Sequence, residues 1–210
     1  MTSSTPLRLA LVAGTLAAAA ALCACAPLLI GGAIVGGSML AIDRRSSGAQ
    51  IDDQAIELRA GNRAGDVLAG RGHVNVTSYN RMVLITGEVP TEADKAAVEP
   101  AVARIDNVRS VVNELTVTEV SSLSNRANDT LLTGKVKASM VDARDMQVNA
   151  FKVVTERAVV YLMGRVTERE ATRAADVARN VSGVRKVVRV FETVSERELA
   201  DLQPKPAAKP

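Results

Sequence analysis

Hydrophobic and polar positions divide this chain into four stretches. Leu9 to Ile42 carries no charged residue at all. Over residues 52–118, and again over 128–199, short β-branched runs alternate with segments whose apolar residues recur every three or four positions. After Leu199, "ADLQPKPAAKP" has no period, and residues 200–210 read as a disordered tail.

The two patterned stretches predict the same order of elements. A helix opens each one, over about 53–69 and 129–141, with Asp129 as N-cap of the second. Two strands follow: Val74–Ser78 and Met82–Val89, then Val148–Thr155 and Val159–Val166, each pair close enough for a hairpin. A second helix starts near Thr91 or Thr167, and Thr167-x-x-Glu170 has capping-box spacing. "NVRSVVNELTV" and "GVRKVVRVFETV" then close each unit as a strand. A strand–helix–strand crossover requires a parallel pair. The expected fold class is therefore α+β: two tandem α-β-β-α-β units, each a three-stranded mixed sheet with two helices packed on one face. Residues 119–127, "EVSSLSNRA", read as the linker.

The units are a duplication. Gly87 matches Gly164 and Val89 matches Val166 at an offset of 77; after one slipped residue, Val108 matches Val184 and Val111-Val112 match Val187-Val188. Asp53 with Ile56 answers Asp129 with Leu132. A repeat of this length outweighs any single motif in the chain.

The uncharged N-terminal stretch carries its own chemistry. After Arg8, "LALVAGTLAAAAAL" has the length of a signal-peptide apolar region, and Leu22-Cys23-Ala24-Cys25 fits a bacterial lipobox. Cys23 does not fit as the acylated residue, because bulky Leu22 would stand where the peptidase requires a small side chain. Residues 1–24 read as a signal peptide, Cys25 as the lipidated first residue, and 25–51 as lipidated N-terminus and apolar tether. Cysteines two apart cannot bridge comfortably, and a lone C-x-C is a poor zinc site. The rival reading is a transmembrane helix with Gly32 and Gly36 at dimer-motif spacing. Pro27 and five nearby glycines (Gly14, Gly31, Gly32, Gly36, Gly37) make it a poor uninterrupted helix. Ala26, rather than Asp, follows Cys25, so the expected address is the outer membrane, periplasmic face.

Composition narrows the function. Aromatics are 2% of the chain, which argues against sugar clefts, peptidoglycan binding and nucleic-acid stacking platforms. One histidine, His73, excludes multi-histidine metal sites and most histidine catalysis. It sits in "GRGHVNV", with no nucleophile or orienting carboxylate beside it in sequence, and reads as a surface-turn residue. Residues 52–118 hold seven Lys/Arg and ten Asp/Glu, a net of −3; residues 128–199 hold thirteen and ten, a net of +3. An anionic partner should prefer the second unit.

The duplicated units, with "VLITGEV" and "VYLMGRVTEREATRAADVARNVSGVRKV", resemble the BON domain, a bacterial module. With the lipobox, the chain is similar to dual BON-domain outer-membrane lipoproteins, "SNRANDTLLTGKVKASM" and "LMGRVTEREA" being the most specific segments. The resemblance implies a non-enzymatic role in envelope integrity and anionic-phospholipid binding through the second unit. It also implies links to division, to outer-membrane protein assembly and to septal amidase activation.

The family's lipid contact is on the first helix of the second unit. Here Leu132, Val136 and Met140 share the core face of that helix, and Leu131 lies off it with Gly134, Lys135 and Ala138, flanked by Lys137. An exposed leucine beside two lysines suits shallow insertion into an anionic leaflet. The expected site residues are Cys25 for lipidation and Leu131, Gly134, Lys135, Lys137 and Ala138 for phospholipid. No catalytic residue, metal or cofactor is expected. Glu168, Glu170 and Asp176, interleaved with Arg169 and Arg173, read as a solvated helix face. A protein-interaction adaptor is the alternative function, kept open by the acidic first unit.

Overall fold

The structure is a computed structural model that describes residues 43–202. Cys25, the signal-peptide stretch and residues 203–210 of the expected tail lie outside the described residues. The first domain runs α1 (Ser47–Leu68), β1 (His73–Tyr79), β2 (Met82–Val89), α2 (Glu92–Ala103), β3 (Ser110–Asn113) and β4 (Thr116–Val117). The second runs α3 (Leu123–Asp142), a 3-10 turn (Val148–Ala150), β5 (Phe151–Glu156), β6 (Val159–Val166), α4 (Glu168–Arg179) and β7 (Lys186–Thr193), followed by α5 (Glu196–Leu202).

In each domain a hairpin is joined by a parallel strand, as the α+β reading expects. β1 pairs antiparallel with β2, and β3 and β4 run parallel to β2. β5–β6 and β6–β7 repeat the arrangement. The closing strand of the first domain is split between β3 and β4. There the Asn113 side chain accepts the Leu115 N–H at 3.2 Å and donates to the Lys95 carbonyl at 2.9 Å. Thr91 caps α2, and Thr167 with Glu170 forms a complete capping box on α4.

Several boundaries differ from the sequence reading. Helix α1 begins at Ser47, capped by Ser46, inside the stretch read as tether. Helix α3 begins at Leu123, capped by Ser122, inside the stretch read as linker. The first turns of both helices are mostly solvent-facing, so no apolar period announces them; the capping serines are their local signal. β5 begins at Phe151, not Val148, because Val148–Ala150 form the 3-10 turn. Residues 200–202, read as tail, complete α5.

Asp129 is not an N-cap. It is buried inside α3, and its carboxylate accepts the backbone N–H groups of Arg157 and Ala158, both at 2.8 Å. Asp53 does the same in the first domain, accepting from Asn80 N–H at 2.8 Å, Arg81 N–H at 2.7 Å and the Ser78 hydroxyl at 2.6 Å. These turns need the device. Asn80 and Arg81 have φ of 50° and 65°, and Arg157 and Ala158 have 52° and 61°. Two consecutive left-handed residues normally call for Asn-Gly. A buried carboxylate from the preceding helix holds the less suitable residues in place.

Gly87 and Gly164 are sites of close backbone approach. A Cβ on Gly87, whose φ is +119°, would lie 2.0 Å from the His73 carbonyl oxygen; one on Gly164 would lie 2.5 Å from that of Ala150.

Alternation along the strands builds three cores. Val83, Ile85 and Val89 meet Ile56, Ala60, Ala64, Leu68, Val98 and Val102 from the helices. Val160, Leu162 and Val166 meet Val136, Met140 and the alanines of α4. The third core joins the opposite sheet faces, Tyr79 and Leu84 of the first domain with Tyr161, Met163 and Val190 of the second. The layers therefore run helices, sheet, sheet, helices. Each fully buried large side chain contributes about 1.5–3 kcal/mol, so this shared core binds the two domains into one body.

Candidate functional site

The inner face of α3 is Asp129, Leu132, Val136 and Met140, all buried. Its outer face is unusually apolar. Leu123 is 79% exposed, Leu131 65% and Val141 61%. At 3.6 residues per turn, these three fall with Gly134 and Ala138 in an arc of about 80°. Lys135 stands at one edge and Lys137 at the other, both exposed. The helix has 20 residues, so the stripe runs about 30 Å. Nothing lies within 4 Å of where a Gly134 side chain would start.

All five residues expected on this face, Leu131, Gly134, Lys135, Lys137 and Ala138, are exposed on one helix. The sequence reading missed Leu123 and Val141. Leu123 fell in the segment read as linker, and Val141 at the last position of the expected helix. The signal for Leu123 was Ser122, whose hydroxyl accepts the Asn125 N–H at 3.2 Å. On the first domain, α1 exposes Ile51 and Leu58, each 68% accessible.

His73 corrects its reading as a surface-turn residue. It opens β1, in register with Glu88 of β2, and its Nδ1 is 3.4 Å from Glu88 Oε2. Glu156 of the second domain faces the same place and accepts from Asn75 Nδ2 at 2.8 Å. Burial pushes the Glu156 carboxyl above its ordinary range, and the charges of Glu88 and Asp129 push the same way, against the Asn75 hydrogen bond and His73. The acidic residues of α4 are each engaged. Glu168 pairs with Arg189 and Asp176 with Arg179, while Glu170 is partly buried, not solvated as expected, and pairs with Arg44. Among the described residues no helix is long and apolar enough to cross a membrane.

The BON domain family matches residues 52–119 and 128–195. The chain therefore belongs to the BON domain family, in its two-domain form. It is 37% identical over 171 residues to outer membrane lipoprotein DolP of Haemophilus influenzae, spanning 80% of this chain and 88% of that protein. It is 33% identical to a 21 kDa hemolysin of Actinobacillus pleuropneumoniae, over 73% of this chain and 80% of that one. Osmotically-inducible protein Y of Escherichia coli is a more distant relative, 27% identical over 57% of this chain.

Proposed function

We propose that this chain is a non-enzymatic outer-membrane lipoprotein, acylated on Cys25 and facing the periplasm, whose second domain reads anionic phospholipid through α3. The outward stripe of Leu123, Leu131 and Val141 between Lys135 and Lys137 carries this reading. Three exposed aliphatic side chains on one helix face offer apolar burial for depth, and flanking lysines offer attraction to an anionic surface. The net charge of +3 on the second domain acts in the same direction, against −3 on the first. Relatedness to the DolP lipoprotein supports the outer-membrane address and the lipid anchor. Support of envelope integrity and of division-linked processes belongs to the same proposal.

The test is sedimentation of residues 43–210 with phosphatidylglycerol or phosphatidylcholine vesicles. All three cores lie within 43–202, so this piece holds its own fold. Binding to phosphatidylglycerol alone, weakened by salt and reduced at least fivefold by Leu131→Glu, is expected. Equal binding to both lipids, or none, would remove the lipid-reading assignment.

The second reading is an adaptor for outer-membrane protein assembly machinery or septal amidase activators. Ile51 and Leu58, exposed on α1 of the first domain, favour it, because a domain of net charge −3 is not drawn to anionic lipid. Retention of partners by the wild type, lost with Ile51→Glu and kept with Leu131→Glu, would support it.

A further inference from the structure

Glu88 is fully buried, 0% exposed, and neither of its carboxylate oxygens has a hydrogen-bond partner. The buried His73 Nδ1 beside it has none either. Leaving a buried carboxylate without a hydrogen bond or a close cation is costly, and such a group is normally paired or coordinated to metal. Arg157 stands at ion-pair distance, but no donor completes a hydrogen bond to either oxygen. Arg157 Nη1 is 3.5 Å from Glu88 Oε1, and His73 Nδ1 is 3.4 Å from Oε2, both too long for good hydrogen bonds. A second buried carboxylate, Glu156, adds negative charge at the same place.

Geometry brings the three groups together. One ligand atom each from His73, Glu88 and Glu156 can be chosen so that all lie within 4.8 Å of one another. In a tetrahedral zinc site the ligand atoms stand about 3.4 Å apart, given bonds of about 2.0–2.2 Å. On binding, the side-chain torsions of Glu156 and His73 would have to turn to close the difference. The Asn75 amide holds one Glu156 oxygen and would orient the carboxylate as a supporting hydrogen bond does around a metal. A groove of about 410 Å³, bordered by His73, Glu156, Arg126, Asp129 and Thr133, gives access from solvent. The Arg157 side chain is 35% exposed, and an entering ion would displace its guanidinium from beside Glu88 Oε1. Asp129 is held by backbone N–H groups and stays out of the ligand set.

We propose that His73, Glu88 and Glu156 form a binding site for a divalent first-row cation, of which zinc is the probe, at the junction of the two domains. One imidazole nitrogen and two carboxylates suit zinc, and a water can complete the shell. His73 and Glu88 belong to the first domain and Glu156 to the second, so the ion would fasten one sheet to the other.

His73 is the only histidine, which makes the test direct. The untagged full chain in detergent micelles is equilibrated with zinc, bound metal is measured by elemental analysis, and the imidazole ring resonances are followed by NMR. One zinc per chain, with the His73 resonances displaced, is expected. His73→Ala and Glu156→Gln should each weaken binding more than tenfold without changing the circular dichroism spectrum. Wild type that retains no more zinc than His73→Ala, or ring resonances unmoved at saturating zinc, would overturn the proposal. Should His73→Ala fail to fold, the near-isosteric Glu156→Gln and the wild-type resonances decide it alone.

Discussion

Arg44 and Glu170 stand 126 residues apart in sequence and meet in a two-pronged ion pair, Nη1 to Oε2 at 2.8 Å and Nη2 to Oε1 at 2.7 Å. Arg44 also donates to the Arg165 carbonyl at 3.0 Å and to Gln147 at 3.1 Å. The segment just ahead of the first domain thus reaches the second domain and grips the residue that completes the α4 capping box. Planar bidentate pairing is the geometry at which arginine is strongest.

Removing one partner of a buried pair costs about 3–5 kcal/mol, so Arg44→Ala should lower unfolding free energy in urea by about 3 kcal/mol. The pH dependence follows from Glu170. Burial alone would raise its carboxyl, but the hydrogen bonds from Arg44 and Thr167 and the arginine charges outweigh it and hold the carboxyl low. A carboxyl depressed by folding stabilises above its unfolded value, about 4.3, and the gain disappears as pH falls through the folded value. The stability gap between wild type and Glu170→Gln should therefore be full at pH 7 and shrink towards pH 3, as measured by urea unfolding. A gap independent of pH would contradict this assignment.

The only two tyrosines, Tyr79 and Tyr161, both sit in the core between the sheets. Burial pushes each phenol up to about 12. A phenol raised by folding adds stability that is whole below its unfolded value, about 10, and is lost as pH climbs towards 12. Absorbance at the phenolate band should stay flat to about pH 11 in the native protein and rise near pH 10 in denaturant. Native phenolate at pH 10 would mean that the sheet faces are open to water.

Asp53 and Asp129 play one role at unequal strength. Asp53 also takes Arg45 Nη1 at 2.8 Å and the Ser78 hydroxyl, whereas Asp129 holds two backbone N–H groups. Asp53→Ala should cost about 4 kcal/mol and Asp129→Ala about 2–3 kcal/mol, given the cost of unpaired buried polar groups. Denaturant midpoints that reverse this order would refute the account.

Glycines separate by context in the same assay. Gly134→Ala meets open space on α3 and should stabilise by up to about 1 kcal/mol. Gly87→Ala should destabilise by more than about 3 kcal/mol, because its Cβ would overlap a carbonyl at a φ that alanine avoids. Similar midpoint shifts for the two would show that neither environment is as described.

The sequence by itself determined everything encoded within a few residues or by repetition. The strand alternation, the capping threonines, the duplicated α-β-β-α-β order and the Leu132, Val136 and Met140 face all follow from local periods and side-chain chemistry. Leu131 could be placed off that face for the same reason. Helix starts at Ser47 and Leu123 escaped because solvent-facing turns carry no apolar period. Tertiary structure alone decided the rest. Asp129 fits the local pattern of a cap, and only the distant Arg157–Ala158 turn reveals its task. The sheet-on-sheet core, the Arg44–Glu170 pair and the approach of Glu156 to the His73–Glu88 hairpin pair depend on how two units pack. No short window of sequence contains that information, because the partners come from separate units, as Arg44 and Glu170 do across 126 residues.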